Sequence, residues 1–139
     1  MHSVTLFRHV WQPDNMVAKE YSFEELYNFL THPRQPVKKK NQVAWCPATF
    51  TPGTKKANDN CINVTLMVID VDGGYKFDNI YKTLVGLRLQ FMMHTSFSCG
   101  PQYDRFRVVL PMSSSVPAAE WKYYHQGMCD WWNTDVHNN

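Results

Sequence analysis

At residues 68–74 the chain reads VIDVDGG, with two aspartates closing a nearly continuous apolar run. A run of this kind, over residues 64–71, is typical of a central β-strand that is covered on both faces. Because side chains alternate between the two faces of a strand, Asp70 and Asp72 should project to the same side. Paired carboxylates at a strand end predict a site for a hard divalent cation.

The alternative for this segment is an ordinary turn, because aspartate before glycine is common at turns. Two acids at the end of an apolar strand repel each other unless they are exposed or neutralised, and a divalent ion neutralises them. We therefore favour metal ligation by Asp70 and Asp72. Gly73 and Gly74 should end the strand and let the backbone approach a ligand.

The composition predicts a single folded domain over residues 1–139. Apolar residues make up 44% of the sequence and aromatic residues 14%, enough for a core that offsets the entropy lost on folding. A length of 139 residues suits one core and is short for two ordinary domains. The formal net charge of +2 gives no strong indication of a partner.

Cysteine spacing and hydropathy predict a cytoplasmic protein. The four cysteines contain no C-x-x-C pair, which disfavours a zinc ribbon or a redox motif and favours reduced thiols. Nothing resembles a signal peptide, and no apolar run approaches the roughly 18 residues of a membrane span. We therefore expect no membrane among the partners.

Hydrophobic periodicity predicts an α+β fold, with helices packed against a mixed or antiparallel sheet. The expected strands are residues 3–7, 64–71, 90–98 and 105–111, and the expected helices are residues 22–30, 77–87 and 117–132. Residues 31–61 are rich in Pro, Lys, Asn and Thr and indicate one extended basic loop. Because a loop of that length is uncommon without a binding role, we interpret it as a substrate-facing flap.

Polar side chains are predicted on one face of the hairpin formed by residues 90–111. His94, Ser96 and Ser98 alternate along its first strand, and Arg105 and Arg107 along its second. If the aspartates share this face, the set fits a metal-bound triphosphate, because the planar arginine fork matches phosphate oxygens. The alternatives are edge-strand charges for the arginines and a satisfied, half-buried histidine.

Two lysine clusters flank the approach to the aspartate strand, Lys38, Lys39 and Lys40 in one and Lys55 and Lys56 in the other. Basic groups around an acidic centre suit a polyanion that is held through metal. The alternative is that these lysines are ordinary solvated loop residues.

Four segments follow one another along the chain, DVDGG at 70–74, HTSFS at 94–98, RFRVVLP at 105–111 and VPAAEW at 116–121. This series, with WCPA at 45–48 before it, resembles the primase-polymerase domains of the archaeo-eukaryotic primase superfamily. The similarity is closest to the domains found in replication proteins of phages and plasmids. It covers roughly residues 43–125.

The resemblance implies a nucleotidyl transferase with an RRM-like palm as its catalytic core. Asp70 and Asp72 match the family's first motif and would bind two Mg²⁺ or Mn²⁺ ions. These ions would activate a 3′-hydroxyl and stabilise the pyrophosphate leaving group. The phosphates of the incoming nucleotide would be bound by polar residues of the neighbouring strands, for which the candidates are His94, Ser96, Ser98, Arg105 and Arg107.

Two departures from the family pattern affect the site. Cys99 stands where relatives often carry a histidine, which argues against a catalytic role for that turn. The family's third carboxylate lies beyond the last helix, where this chain offers Asp130 and Asp135. Asp135 is the better candidate for a third catalytic and metal-binding residue, because it follows the helix instead of lying in it. Otherwise the chain is a fragment of a longer replication protein, or a reduced relative, whose third ligand is missing.

The resemblance also implies partners. These are a single-stranded DNA template held by the lysine clusters, an NTP or dNTP, and a helicase domain or subunit. The expected location is the cytoplasm of a bacterial host, with the gene carried by a phage or plasmid. Whether the product is RNA or DNA stays open.

Two other functions also stay open. One is a catalytically inactive nucleic-acid-binding or replication-initiation module that keeps the fold without a complete acidic triad. The other is a haloacid-dehalogenase-type phosphatase, in which Asp70 would be the nucleophile and Asp72 the acid/base. The phosphatase motif normally opens the fold and continues with Thr or Val where Gly74 stands.

Overall fold

A computed structural model describes residues 1–7, 16–31, 43–55, 57–96 and 104–136. Its strands and helices are, in chain order, β1 (His2–Phe7), β2 (Met16–Tyr21), α1 (Phe23–Thr31), β3 (Ala44–Cys46), β4 (Ala48–Phe50), β5 (Cys61–Val71), α2 (Phe77–Gly86), β6 (Met92–Thr95), β7 (Phe106–Pro117) and α3 (Trp121–Trp131). A 3₁₀ turn precedes β5 and another precedes α3, and a π-helical turn, Trp132–Val136, follows α3. The mixture of helices with antiparallel strand pairs confirms the predicted α+β class.

The described strands form two sheets. In one, β1 lies between β2 and β3 and is antiparallel to both. The strand order of the other is β4-β5-β7-β6, and the pairs β4 with β5 and β6 with β7 are antiparallel. The aspartate strand β5 therefore has the central position that its apolar sequence predicts.

The chain divides into two compact units. One comprises Met1–Met67 and Pro111–Ala118, and the other comprises Val68–Leu110 and Ala119–Asn139. Strands β5 and β7 each contribute residues to both units. The single catalytic domain over residues 1–139 stays a prediction.

In the first unit, buried threonines connect the two sheets. Thr5 donates from Oγ1 to the carbonyl oxygen of Ala48 over 2.7 Å, and Thr65 donates from Oγ1 to the carbonyl oxygen of Ser3. Such bonds satisfy polar groups that burial would otherwise penalise. The apolar core around them includes three fully buried side chains, Val4, Leu26 and Leu66.

Helix α1 begins where its sequence predicts. Oγ of Ser22 accepts a hydrogen bond of 3.1 Å from the backbone N–H of Glu25. This bond satisfies one of the N–H groups that the first turn of a helix leaves open. Acidic residues in the first turn, Glu24 and Glu25, also interact favourably with the positive end of the helix dipole.

In the second unit, α2 packs on one side of β7. The rings of Phe77 and Phe106 meet edge to face, with their centroids 5.2 Å apart. Ile80 and Leu84 of α2 are buried, as is Val108, which shares a strand face with Phe106. Burial of side chains of this size stabilises a fold by about 1.5–3 kcal/mol each. The opposite side of this part of β7 carries Arg107 and the buried Val109.

Three strands lie where the sequence predicts none. They are β2, and β3 and β4 within the segment predicted as one extended loop. The prediction of a single loop over residues 31–61 is therefore wrong. Strands of three residues leave almost no pattern in a sequence, and pairing with β1 and β5 defines them. Residues 32–42 lie outside the described residues, so the substrate-facing flap stays a prediction.

Several element ends also differ from the prediction, among them those of β6, which is limited to Met92–Thr95, and of β5, which begins at Cys61. Strand β7 continues past Pro111 to Pro117, through three exposed serines that give no apolar alternation. The last α-helix is limited to α3, because a 3₁₀ turn occupies its predicted start and a π-helical turn follows its last residue.

Candidate metal and phosphate site

The two aspartates lie at the end of β5 in the second unit. Asp70 and Asp72 are exposed, and Val71 between them is 4% exposed. This alternation puts both carboxylates on the same side of the strand end. Oxygen donors in this arrangement are suited to a hard divalent cation.

Arg107 contacts Asp70 from the neighbouring strand. Nε of Arg107 lies 3.6 Å from Oδ1 of Asp70, and the two side chains are 37% and 52% exposed. A solvent-exposed ion pair contributes at most about 1 kcal/mol to stability. The ion pair is informative because it shows where Arg107 lies. Strand β7 is next to β5 and places the guanidinium group of Arg107 beside Asp70.

His94 lies opposite Arg107 in the register of β6 and β7. Directly opposite residues of an antiparallel pair share one sheet face. The side chain of His94 is half-buried, with Nδ1 3.2 Å from the carbonyl oxygen of Thr95 and Nε2 inaccessible to solvent. Asp70, Arg107 and His94 therefore form a polar row across three adjacent strands, β5, β7 and β6.

Ser96 and Arg105 extend the face of β6 and β7 by one further pair. The backbone N–H of Ser96 donates to the carbonyl oxygen of Arg105 over 3.0 Å, beyond the ends of both strands. Arg105 is half-buried, and its Nε is inaccessible to solvent. The explanation as an edge-strand charge is wrong for Arg107, because β7 lies between β5 and β6 and is not an edge strand. Arg105 precedes β7, so for this residue both explanations stay predictions.

Two glycines turn the chain sharply after the aspartates. Gly73 and Gly74 have φ angles of +123° and +81°, a region that glycine adopts far more readily than other residues. A Cβ atom at either position would have no atom within 4 Å apart from those of the glycine and its neighbours in the chain. Backbone conformation, not crowding, therefore requires glycine here, and the turn leaves open space beside Asp72.

Asp104 holds the first residue of α2. Its Oδ2 accepts a hydrogen bond of 2.7 Å from the backbone N–H of Phe77. A carboxylate at a helix start satisfies an open N–H group and interacts favourably with the dipole. The sequence carries no sign of this contact, because the two residues are 27 positions apart. The bond joins the helix start to the segment that leads directly into Arg105.

Tyr75 is held in the same connection between β5 and α2. Nε1 of Trp132 donates to the Tyr75 hydroxyl over 3.3 Å, and the two rings meet edge to face at 5.6 Å. The connection that follows Asp72 therefore has two long-range contacts. Trp132 contacts it at Tyr75, and Asp104 contacts the helix start at Phe77.

We expect Asp104→Ala to lower the free energy of unfolding by about 1 kcal/mol, as other lost helix caps do. Asp104→Asn keeps an acceptor oxygen and should lose less. Urea denaturation followed by circular dichroism measures both values. An equal loss in the two variants would mean that the negative charge, rather than the hydrogen bond, stabilises the start of α2.

Asp135, the predicted third carboxylate, is exposed in the π-helical turn after α3. Within the described residues, no group of three or more His, Cys, Asp or Glu side chains is placed to hold a metal ion. Asp135 thus does not complete such a group with the two aspartates, and its metal-binding role stays a prediction.

The lysine clusters fall largely outside the described residues. Lys38, Lys39, Lys40 and Lys56 lie there, as does Ser98, and their roles stay predictions. Lys55 is exposed in the turn between β4 and β5.

Comparison with protein-family models, curated proteins and solved structures gave no match. In the part of the chain that the structure describes, no helix is long and apolar enough to cross a membrane.

Proposed function

We propose that this chain is a primase-polymerase catalytic domain, a nucleotidyl transferase that makes or extends primers on a nucleic-acid template. One observation carries the proposal. The row formed by Asp70, Arg107 and His94 puts a carboxylate, a guanidinium group and an imidazole on adjacent strands, with Asp72 next to it. Transfer of a nucleotide needs both a cation site and phosphate-binding groups, and this sheet face offers both.

The donor chemistry of the two aspartates fits Mg²⁺ or Mn²⁺. These hard cations prefer carboxylate oxygens, and Mg²⁺ is commonly held by one or two carboxylates together with substrate phosphates. A site of that kind does not need a third protein carboxylate. When bound to Asp70 and Asp72, the metal would activate the attacking 3′-hydroxyl and offset charge on the leaving pyrophosphate.

Arg107 and Arg105 would bind the triphosphate of the incoming NTP or dNTP. Arg107 approaches Asp70 through Nε, which leaves the other N–H groups of its planar fork for phosphate oxygens. Arg105 is half-buried, and electrostatic attraction is stronger where water is partly excluded. His94 and the Ser96 hydroxyl are further hydrogen-bonding groups on this face.

The position of α2 supports the same proposal. This helix packs on the Phe106 side of β7, and alternation puts Arg105 and Arg107 on the other side. The polar face is therefore not used for packing against α2. A single-stranded template, a helicase domain or subunit, and a cytoplasmic location in a bacterial host complete the proposal.

An inactive nucleic-acid-binding module is the second candidate. It is favoured by one finding, that the described residues contain no group of three carboxylate, histidine or cysteine ligands. The phosphatase alternative is weaker, because β5 is the fifth strand in chain order, whereas the phosphatase motif normally opens its fold.

A primer-extension and priming assay on the purified chain tests these candidates. Titration with Mg²⁺ or Mn²⁺, with NTPs and dNTPs supplied separately, should give metal-dependent incorporation and show which nucleotide is used. Binding of single-stranded DNA without incorporation at any metal concentration would favour the inactive module. Release of phosphate from a phosphomonoester without incorporation would favour the phosphatase.

Replacing Lys38, Lys39 and Lys40 with Ala should weaken binding of single-stranded DNA about equally for every sequence. The salt dependence should become shallower, because fewer phosphate contacts release fewer counterions. A filter-binding salt titration measures the slope, with Lys82→Ala, an exposed residue of α2, as the control. Identical slopes for variant and parent would make these lysines ordinary solvated charges.

A further inference from the structure

A histidine and a cysteine meet on helix α3. His125 and Cys129 are four positions apart and are therefore neighbours on one side of the helix. Sγ of Cys129 lies 3.9 Å from Nδ1 of His125. The imidazole is exposed, and the thiol is half-buried and belongs to no disulfide. The helix thus brings a free sulfur donor and a nitrogen donor together at its surface.

The surroundings of the imidazole on α3 suit a bound cation. The ring of Trp121, one turn before His125, has its centroid 6.5 Å from that of the imidazole, at an angle of 58°. Lys122 directs its ammonium group over the ring of Tyr123, with Nζ 5.0 Å from the centroid. At 3.6 residues per turn, Tyr123 and His125 lie on opposite flanks of Lys122. The lysine charge is therefore directed away from the imidazole.

We propose that His125 and Cys129 form a chelating site for Zn²⁺. Thiolate and imidazole are ligands that suit this ion, whereas Mg²⁺ prefers oxygen. With Zn–S bonds of about 2.3 Å and Zn–N bonds of about 2.0–2.1 Å, tetrahedral geometry puts sulfur and nitrogen about 3.5 Å apart. Because the two atoms are 3.9 Å apart, they need to approach each other by only ~0.4 Å to share the ion.

The metal ion takes the place of a proton between the two side chains. Cys129 gives its thiol proton to solvent and binds as thiolate, and His125 binds through Nδ1 as the neutral imidazole. Within the described residues, no third His, Cys, Asp or Glu completes the group, so we expect water at the remaining positions. Two protein ligands hold zinc less tightly than the four of a closed structural site. An exchangeable ion is therefore expected.

Cys61 provides a matched control. It is also a free, half-buried cysteine, but its Sγ lies 3.9 Å from the carbonyl oxygen of Asn63. Burial raises the pKa of the Cys61 thiol, which disfavours the thiolate that binds metal. Cys61→Ser therefore removes a thiol of similar exposure to that of Cys129 without removing the proposed ligand.

Titration of the purified, reduced chain with Co²⁺ tests the proposal. Co²⁺ occupies thiolate sites for Zn²⁺ and then gives a sulfur-to-cobalt charge-transfer band in the near ultraviolet. The parent should develop this band, Zn²⁺ should remove it, and excess Mg²⁺ should leave it unaltered. Carboxylates give no such band, so cation binding at Asp70 and Asp72 does not contribute to it. The outcome is independent of any nucleotidyl transfer activity.

Substitutions assign the ligands. Cys129→Ser should abolish the band, and His125→Gln should raise the Kd for Co²⁺ at least ~10-fold, because loss of even an outer-shell partner costs about 10–100-fold in metal affinity. Cys61→Ser should keep the band and the Kd, and circular dichroism checks that each variant is folded. A parent without the band, a band that persists in Cys129→Ser, or one that is lost in Cys61→Ser overturns the proposal. An unaltered Kd in His125→Gln overturns chelation by the pair.

Discussion

Asp70→Asn and Asp72→Asn should each abolish metal-dependent nucleotidyl transfer. Either change removes a negative oxygen ligand from the proposed metal site, and we expect kcat to fall at least ~1,000-fold, equivalent to about 4 kcal/mol of transition-state stabilisation. The assay is primer extension at saturating Mg²⁺ and Mn²⁺. Asp59→Asn, an exposed carboxylate in the 3₁₀ turn before β5, is the control and should retain activity.

The fold should tolerate both aspartate substitutions. Asp70→Asn loses the charge attraction to Arg107 and Asp72→Asn relieves repulsion between two acids, so the free energy of unfolding should change by less than about 1 kcal/mol in either variant. Unchanged activity in both variants would rule out the polymerase proposal. Trapping of phosphate on Asp70 would instead identify the phosphatase.

Arg107→Lys should weaken nucleotide binding at least ~10-fold while the affinity for single-stranded DNA stays nearly constant. Lysine keeps the positive charge but has no planar fork. A loss of nucleotide affinity would therefore be caused by the missing fork and not by a change of charge. Arg105→Lys should behave in the same way. Nucleotide titration calorimetry and filter binding of DNA measure the two affinities separately.

Arg88→Lys is the matched control for these substitutions, because Arg88 lies beyond the C-terminus of α2 and not on the polar face. It should leave both affinities unaltered. An equal loss of nucleotide and DNA binding in Arg107→Lys would indicate that the hairpin of β6 and β7 had been disturbed. In that case the arginine would stabilise the sheet and would not bind phosphate selectively.

Local sequence patterns were sufficient to predict the elements that are stabilised by interactions between residues close to each other in the chain. The apolar run of residues 64–71 predicts the central strand, and Ser22 predicts the start of α1 through a hydrogen bond to a residue three positions away. Alternation alone predicts that Asp70 and Asp72 share a side, since the period of a strand is two. Each of these features depends on residues that are close together in the sequence. It can therefore be predicted from the sequence alone.

The short strands could not be predicted in this way. Strands β3 and β4 have three residues each, and their register is set by partners in β1 and β5. The extension of β7 to Pro117 likewise has no periodic signal of its own. In each case long-range pairing decides the conformation, and intrinsic β-propensity is too weak and too dependent on context to reveal it.

For the candidate site, the sequence by itself determined the chemical groups and the strand faces on which they lie. The tertiary structure decided which of them meet. It placed Arg107 3.6 Å from Asp70, put His94 opposite Arg107, and used Asp104 to cap a helix that begins 27 residues earlier. The physical reason is that strand order and register are set by burial of whole sheet faces, such as the Phe106 side of β7 against α2, and not by the polar residues that those faces carry.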